Sequence, residues 1–135
     1  MSYYQTDDWQ LEMPANWVAE AVDDAMSLYD PAGNGTLLIT TLREEQPISD
    51  EYLVELASDH IDAGAELYEV EYGPFSGVTC CYDSENEYWC EWYLRADKLL
   101  LFVTYNCPLE DEGAEDDVVE GMLESLTQRA AVPLH

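Results

Sequence analysis

Short runs of apolar residues, many of them alternating with polar ones, recur along most of the chain and predict β-strands. Alternation from Trp9 to Met13 predicts a first strand that ends at Pro14. The β-branched run from Thr36 to Leu42 is typical of a central strand, and the turn residues just before it predict a hairpin. Further strands are predicted at residues 25–29, 65–72, 75–82, 87–95 and 98–107, with a short strand or one turn of helix at 17–21.

The clearest hairpin pattern joins residues 87–95 to 98–107 through a predicted two-residue loop at Ala96 and Asp97. This register pairs Leu94 with Leu99, Trp92 with Leu101, Cys90 with Val103 and Tyr88 with Tyr105. All these side chains are apolar and share one face, whereas a slip by one residue would mix polar and apolar positions. The pattern therefore predicts one fully buried face.

The other face of this hairpin carries the residues that the sequence favours for partner binding. Acids alternate there with aromatic residues, namely Glu87, Trp89, Glu91 and Tyr93. Because Trp and Tyr are frequent in binding hot spots, an aromatic strip edged by carboxylates would suit a basic or amphipathic partner. The alternative is that a helix covers this face and that both rings belong to the core, since the neighbouring Leu100 and Phe102 also favour burial.

Two helices are predicted. Ser49 can cap the first, and Ile48 before the cap can pack on Leu53. An apolar stripe at helical spacing follows, formed by Leu53, Leu56, Ala57, His60 and Ile61. His60 lies at the edge of that stripe, where a half-buried packing role fits better than catalysis.

The last helix is predicted to begin near Glu110, with acids at its positive end and a stripe of Ala114, Val118, Met122 and Leu126. The tail from Ala130 to His135 is expected to fray. Strands and helices do not alternate regularly along the chain. The sequence therefore predicts an α+β fold, an antiparallel β-sheet flanked by α-helices, in a single domain over residues 1–135.

Composition and charge exclude several classes of protein. Of the 135 residues, 47% are hydrophobic, which argues against disorder even though 30 Asp+Glu against 4 Lys+Arg give a net charge of −26. Such a polyanion repels nucleic acid, and no apolar run is long enough for a membrane span. The charge has three interpretations: a solvated acidic surface, a surface matched to a cationic partner, or adaptation to a salty cytoplasm.

The cysteines and acids show no motif for a metal, a cofactor or catalysis. Cys80, Cys81, Cys90 and Cys107 lack metal-site spacing, and the first residues resemble no export signal. We therefore expect a cytoplasmic protein with small buried cysteines and without disulfides. Asp83, Glu85 and Glu87 could bind a cation weakly, but an exposed acidic turn explains them better. Gly33-Asn34-Gly35 lacks the Lys-Ser/Thr of a phosphate loop.

Several short motifs, taken in order, resemble the Mog/PsbP-like fold, most closely the small bacterial proteins of unknown function in that group. They are Trp9-x-x-x-x-Pro14-x-x-Trp17, Leu28-Tyr29-Asp30-Pro31-x-Gly33-x-Gly35 before the Thr36–Thr41 strand, and Tyr88-Trp89-x-x-Trp92 with Thr104-Tyr105-x-Cys107. The resemblance spans nearly the whole chain and implies an antiparallel sheet flanked by helices. It also implies a role other than catalysis, because members include a Ran-GTPase-binding protein, a photosystem II extrinsic subunit and chaperones of type VI secretion effectors.

The sequence thus predicts a cytoplasmic, non-enzymatic domain whose acidic surface binds a basic protein, as an immunity protein or an effector chaperone would. The alternative is a small-ligand or cation-binding module that uses the cleft between sheet and helix. We expect no cofactor, and the pattern leaves the oligomeric state open.

Overall fold

The computed structural model describes residues 2–128, which form a seven-stranded and a three-stranded antiparallel sheet with three short α-helices. The strands are β1 (Ser2–Gln5), β2 (Trp9–Met13), β3 (Val18–Val22), β4 (Ala25–Tyr29), β5 (Thr36–Arg43), β6 (Tyr68–Tyr72), β7 (Phe75–Ser84), β8 (Glu87–Ala96), β9 (Leu99–Pro108) and β10 (Thr127–Gln128). The helices are α1 (Asp50–Leu56), α2 (Ser58–Asp62) and α3 (Asp116–Glu124). The predicted α+β class is confirmed, while the expected fraying of residues 130–135 lies outside the described residues.

The large sheet runs in the order β3-β4-β5-β9-β8-β7-β6, which places β9 at its centre. The β8–β9 hairpin exists, but its loop lies one residue later than predicted, at Asp97 and Lys98, so Leu94 pairs with Leu101 rather than Leu99. The other predicted pairs shift in the same way, to Trp92–Val103, Cys90–Tyr105 and Tyr88–Cys107. The turn decides this register, because Asp97 adopts a left-handed φ of 55°, a conformation that aspartate tolerates in turns.

The main hydrophobic core lies where the predicted apolar face of β8 meets the small sheet and α3. Moving the loop by one residue changes each cross-strand partner by two residues, which leaves every side chain on its original face. Tyr88, Cys90, Trp92 and Leu94 therefore still share one side of the sheet, as predicted. The small sheet, in the order β1-β2-β10, buries Trp9 and Leu11 against this core. The indole Nε1 of Trp9 donates to Thr41 Oγ1 of β5 at 2.9 Å, which fixes one sheet on the other.

A second, smaller core lies on the opposite face, where α1 and α2 cover β7, β8 and β9. It consists of Ile48, Leu53, Ala57, Val78, Tyr93 and Leu100. Ser49 caps α1 as predicted, since its hydroxyl accepts a hydrogen bond from the Tyr52 N–H at 3.1 Å. Leu56 is predicted in the buried stripe but is exposed, whereas Leu53 and Ala57, four residues apart, are the buried members of the stripe at α1.

The last helix starts later than its acidic pattern predicts. Residues 109–111 form a 3-10 turn and Gly113 takes a left-handed φ of 88°, so α3 begins at Asp116 instead of near Glu110. Its buried residues are Val119, Met122 and Leu123, with Leu126 just beyond the helix, whereas Ala114 is exposed outside it.

Cys81 and Cys90 form a disulfide, so the prediction of a chain without disulfides is wrong. The two residues are direct partners across β7 and β8, and they lie on the face below α3. Their pairing depends on the register of β7 against β8, which cysteine spacing alone does not show. Cys80 and Cys107 are buried thiols, as expected.

Breaking this bond should weaken the fold moderately. In the chain-entropy description, a bond that closes a loop of about ten residues contributes about 2–3 kcal/mol. We therefore expect a reductant to lower the free energy of unfolding in urea by up to this amount. The double variant Cys81→Ser, Cys90→Ser should no longer respond to the reductant, and four titratable thiols in the unreduced, unfolded protein would contradict the bond.

Candidate functional site

The structure divides the four residues predicted to bind a partner into two pairs. Glu91 and Tyr93 are only 5% and 4% exposed, since this stretch of β8 lies beneath α1 and α2. Glu87 and Trp89, nearer the start of β8, are half-buried and reach the surface. Glu91 and Tyr93 are therefore buried beneath the helices, and partner binding by Glu87 and Trp89 stays a prediction.

Glu91 lies at the centre of a network of polar side chains. The Tyr93 hydroxyl donates to Oε1 at 2.7 Å, His60 Nε2 lies 2.8 Å from Oε2, and the Tyr82 hydroxyl also donates to Oε2. The His60 ring stacks on Tyr82 with their centroids 4.5 Å apart. A buried carboxylate is tolerated when its oxygens accept such hydrogen bonds, and this one ties α2 to β7 and β8.

The arrangement around Glu91 is better suited to holding the fold than to catalysis. Cys80, a direct cross-strand partner of Glu91, is buried, and burial raises the pKa of its thiol above the ordinary value. A nucleophilic cysteine needs the thiolate form and access to a substrate, and this environment opposes both.

Sequence reasoning missed this network, although one feature of the chain points to it. Glu91 is the single acid among large apolar residues from Tyr88 to Leu94. An acid inside a strand that is buried on both faces needs donors from other elements. His60 and Tyr82 supply them, and only the packing of α2 on the sheet brings them together.

Three buried tyrosines donate hydrogen bonds to carboxylates, in the pairs Tyr93–Glu91, Tyr105–Glu115 and Tyr72–Glu120. Burial, and then the adjacent carboxylate, raises the pKa of each of these tyrosines well above its ordinary value. Ionising any one of them would place two negative charges together and remove the donor. These contacts therefore stabilise the fold only while the phenols are protonated.

On the side of the large sheet that carries α1 and α2, several strands remain uncovered. The register sets one row of residues across this side, and all of them are at least partly exposed: Val18, Tyr29, Thr36, Asn106 and Trp89. In a parallel row, Val22 on β3 is 45% exposed, whereas Tyr93 on β8 is buried. The β3 ends of these rows are thus more exposed than the β8 side, which the helices cover, although Ser27 on β4 in the row between them is buried.

We call this uncovered surface the open face; its apolar members are Val18, Val22, Leu38 and Trp89, and Glu20 and Glu87 border it. Glu20 accepts a hydrogen bond from the Tyr29 hydroxyl at 2.8 Å, and Glu87 accepts one from Asn106 Nδ2 at 3.2 Å. The sheet also ends there, since β3 is an edge strand. The open face therefore combines apolar surface, positioned carboxylates and a strand edge.

Arginines do little to neutralise the acidic surface. Arg43 pairs with Asp8 and Arg95 pairs with Asp50, so each is already matched to a carboxylate. One guanidinium nitrogen, Nη1 of Arg95, is buried without a hydrogen-bond partner in the described structure. Most of the acids are left uncompensated, and the surface presents a strongly negative field.

Two cavities lie on opposite faces of the β6–β8 region. One, of about 380 Å³, lies between the sheet and α3, and its walls include Tyr72, Tyr88, Trp92, Tyr105, the Cys81–Cys90 disulfide and three acids of α3. The other, of about 480 Å³, lies beside α1 and includes Asp50, Glu69, Glu71 and Arg95. The first has the mixture of aromatic wall and a few polar groups that is common in ligand sites.

Within residues 2–128, no three potential metal ligands come together in a group that could hold an ion. Asp83 and Glu87 flank a tight turn in which Glu85 and Asn86 both have positive φ, so the weak calcium pattern is a β7–β8 turn. Among the same residues, every helix is too short or too polar to cross a membrane.

Comparison with solved structures identifies the fold, although no family model and no curated protein matches the sequence. A protein of Bacteroides thetaiotaomicron VPI-5482 superposes with a TM-score of 0.64 at 16% identity, over 90% of this chain and 45% of that one. LpqN, described as involved in cell envelope biogenesis of Mycobacterium tuberculosis, gives 0.63 at 13% identity, over 89% and 82% of the two chains. The cyanobacterial PsbP (CyanoP) of Synechocystis sp. PCC 6803 gives 0.50 at 8% identity, over 94% and 91%.

These similarities confirm the PsbP-like fold that the sequence motifs predict. The chain spans less than half the length of the Bacteroides protein. With identities between 8% and 16%, the likeness concerns the fold, and a fold shared by unrelated functions does not carry a function with it.

Replacing Glu91 with alanine should lower the free energy of unfolding by about 2–5 kcal/mol, because it leaves the Tyr82 and Tyr93 hydroxyls without their acceptor in a buried site. Glu71→Ala removes the same charge from an exposed strand position and should change stability by less than about 0.5 kcal/mol. Urea unfolding measures both variants. Equal effects would show that Glu91 acts only through the net charge.

Stability should also fall above a pH of about 10, the pKa of tyrosine in the unfolded chain. The folded pKa values of Tyr72, Tyr93 and Tyr105 are raised. Their contribution is therefore complete below the unfolded value and is lost as the pH climbs towards the folded values. Each should reduce the free energy of unfolding by about 1.4 kcal/mol per pH unit in that window.

Urea unfolding at a series of alkaline pH values, with tyrosinate absorbance followed in parallel, measures this loss. Tyr105→Phe should make the decline of the unfolding free energy with pH shallower by the contribution of one tyrosine, about 1.4 kcal/mol per pH unit. A free energy that stays flat while the tyrosines ionise in the folded state would contradict the assignment.

Proposed function

We propose that this protein is a non-enzymatic binding domain that holds a basic protein on its open face, as an immunity protein or an effector chaperone would. The observation that carries the proposal is the open face itself. It is an uncovered sheet surface that carries both apolar and polar side chains together with positioned carboxylates, on a chain with a net charge of −26.

The apolar part of the open face can supply binding energy. Trp89 is half-buried in the row that ends at Val18, so its ring is positioned by the sheet and still reaches the surface. A tryptophan held in this way loses little side-chain entropy when a partner covers it, which is why tryptophan is frequent in hot spots. Val18 and Val22 extend the apolar surface to the edge of the sheet.

The acidic part of the open face can supply selectivity and a fast encounter. Glu20 and Glu87 are held by hydrogen bonds to Tyr29 and Asn106, so their charges have defined positions. Opposite charges on a partner would be attracted over a distance set by the ionic strength, which accelerates association. A basic partner is the chemical class that this surface fits.

The edge strand β3 offers a further contact for an extended segment of the partner. Edge strands present backbone donors and acceptors that can pair with an added strand. β3 carries Glu20 at its centre, between Ala19 and Ala21. A basic segment could pair with this edge while its side chains contact the open face.

The cytoplasmic location belongs to this proposal and bears on the disulfide. In a reducing compartment Cys81 and Cys90 would stand as thiols, whereas an oxidising compartment would preserve the bond. The oxidation state of these two cysteines in the cell therefore reports where the protein resides.

A second candidate function, binding of a small ligand or cation, is favoured by the cavity between the sheet and α3. Cavities of a few hundred Å³ with aromatic walls and a few polar groups are typical ligand sites. This cavity lies on the other side of the sheet from the open face, so the two functions can be tested separately.

The test of the proposed function is capture of a partner from an extract of the source cells at low and high salt. We expect a basic protein to bind at low ionic strength and to dissociate at high ionic strength, as charge attraction requires. Trp89→Ala, and separately Glu20→Lys with Glu87→Lys, should reduce the affinity at least about ten-fold.

Tyr3→Ala provides the matched control, because Tyr3 is an exposed aromatic residue on β1, in the other sheet. It should leave capture unchanged. Capture that ignores both salt and the open-face variants would overturn the proposal. Absence of any partner, together with stability that continues to rise at molar salt, would favour adaptation to a salty cytoplasm instead.

A further inference from the structure

We propose that the cavity between the large sheet and α3 binds a small organic cation with a substituted ammonium group, such as a trimethylammonium head. This inference rests on the second candidate function, and it adds the chemical class of the ligand. Three features of the described residues carry it: the aromatic walls, the carboxylates of α3, and the volume of the cavity.

Four aromatic residues from three strands line the cavity. Tyr72 of β6, Tyr88 and Trp92 of β8, and Tyr105 of β9 all face α3. Tyr72 is fixed by its hydroxyl, which lies 3.1 Å from both carboxylate oxygens of Glu120. The Tyr105 hydroxyl is fixed in the same way by Glu115 at 2.7 Å. Tyr72 and Tyr105 are therefore held in place before any ligand enters.

Aromatic rings attract cations through the negative charge of their faces, and tryptophan does so most strongly. A trimethylammonium group also presents methyl groups, which match aromatic carbon better than water does. A bare metal ion would need several oxygen ligands in place of its water shell. No such ligand group occurs within residues 2–128.

The carboxylates of α3 set the sign of charge that the cavity accepts. Asp116, Asp117 and Glu120 line it from the first turns of α3, and all three residues are exposed. The positive end of a helix carries about half a unit charge, which three carboxylates exceed. Anionic ligands are therefore repelled, and so are zwitterions whose acid group lies close to the ammonium group.

The volume of about 380 Å³ fits a small molecule rather than a folded partner. The open face and this cavity lie on opposite sides of the sheet, so binding here is independent of the proposed protein partner. The proposed ligand is thus a free small molecule whose single cationic group can enter the cavity.

Calorimetric titration of the full chain with choline and with dimethylbutanol, its uncharged carbon isostere, tests the inference. Ionic strength is held constant with sodium chloride, because added salt alone stabilises a polyanion. We expect choline to bind at least about ten-fold more tightly than dimethylbutanol, and glycine betaine to bind more weakly than choline.

Variants locate the site. Asp116→Asn with Asp117→Asn should weaken choline at least about three-fold and leave dimethylbutanol unchanged. Tyr88→Leu should weaken choline about ten-fold, while Tyr88→Phe, which keeps the ring, should retain binding. Glu51→Gln with Asp59→Asn removes two charges from α1 and α2, on the opposite side of the sheet, and should have no effect.

The outcomes distinguish cation selectivity, ligand binding in the cavity and a general effect of charge. Equal affinity for choline and dimethylbutanol would overturn the cation selectivity but leave the cavity as a ligand site. Binding of neither would overturn the inference, whereas the second candidate function, which names no ligand, does not depend on these two probes. Equal weakening by the α3 variant and the control variant would show a general charge effect and would also overturn the proposed site.

Discussion

The fold is organised around β8 and β9, which are buried on both of their faces. These strands lie at the middle of the large sheet, and their side chains alternate between two separate cores. One face requires the small sheet and α3 as cover, and the other requires α1 and α2. Because the central strands are apolar on both sides, carboxylates are kept at the surface, and Glu91 is the one buried acid among residues 2–128.

Glu91 shows what an acid needs in such a place. Its oxygens are met by His60, Tyr82 and Tyr93, so the charge is buried with donors around it. The same chemistry recurs where Tyr105 meets Glu115 and Tyr72 meets Glu120. Phenols, rather than lysines or arginines, are the main donors to the partly buried acids of this chain. A protein with very few cations can use them because a phenol donates without carrying charge.

Unequal cover of the large sheet produces the two candidate surfaces. On one side α1 and α2 are too short to reach β3–β5, and the open face is the result. On the other side α3 lies across β6–β9 without filling the space beneath it, and an aromatic cavity remains. The PsbP-like fold accounts for the layers, whereas the lengths and positions of these helices account for what each layer leaves exposed.

Which side chains share a face of a strand can be predicted from the local pattern of residues. Period-two alternation is local, so the apolar face of Tyr88, Cys90, Trp92 and Leu94 was predictable, as were the cap at Ser49 and the α+β class. The short polar strands β1 and β10 carry too little pattern to be found in this way.

Features that depend on how strands and helices pack against one another could not be predicted from that pattern. The position of the turn at Asp97 fixed the register of β8 against β9, and the register of β7 against β8 paired Cys81 with Cys90. Likewise, the packing of α2 brought His60 to Glu91. The physical reason is that side-chain alternation is set by neighbouring residues in the chain, whereas register, cover and hydrogen-bond partners are set by contacts between residues distant in sequence.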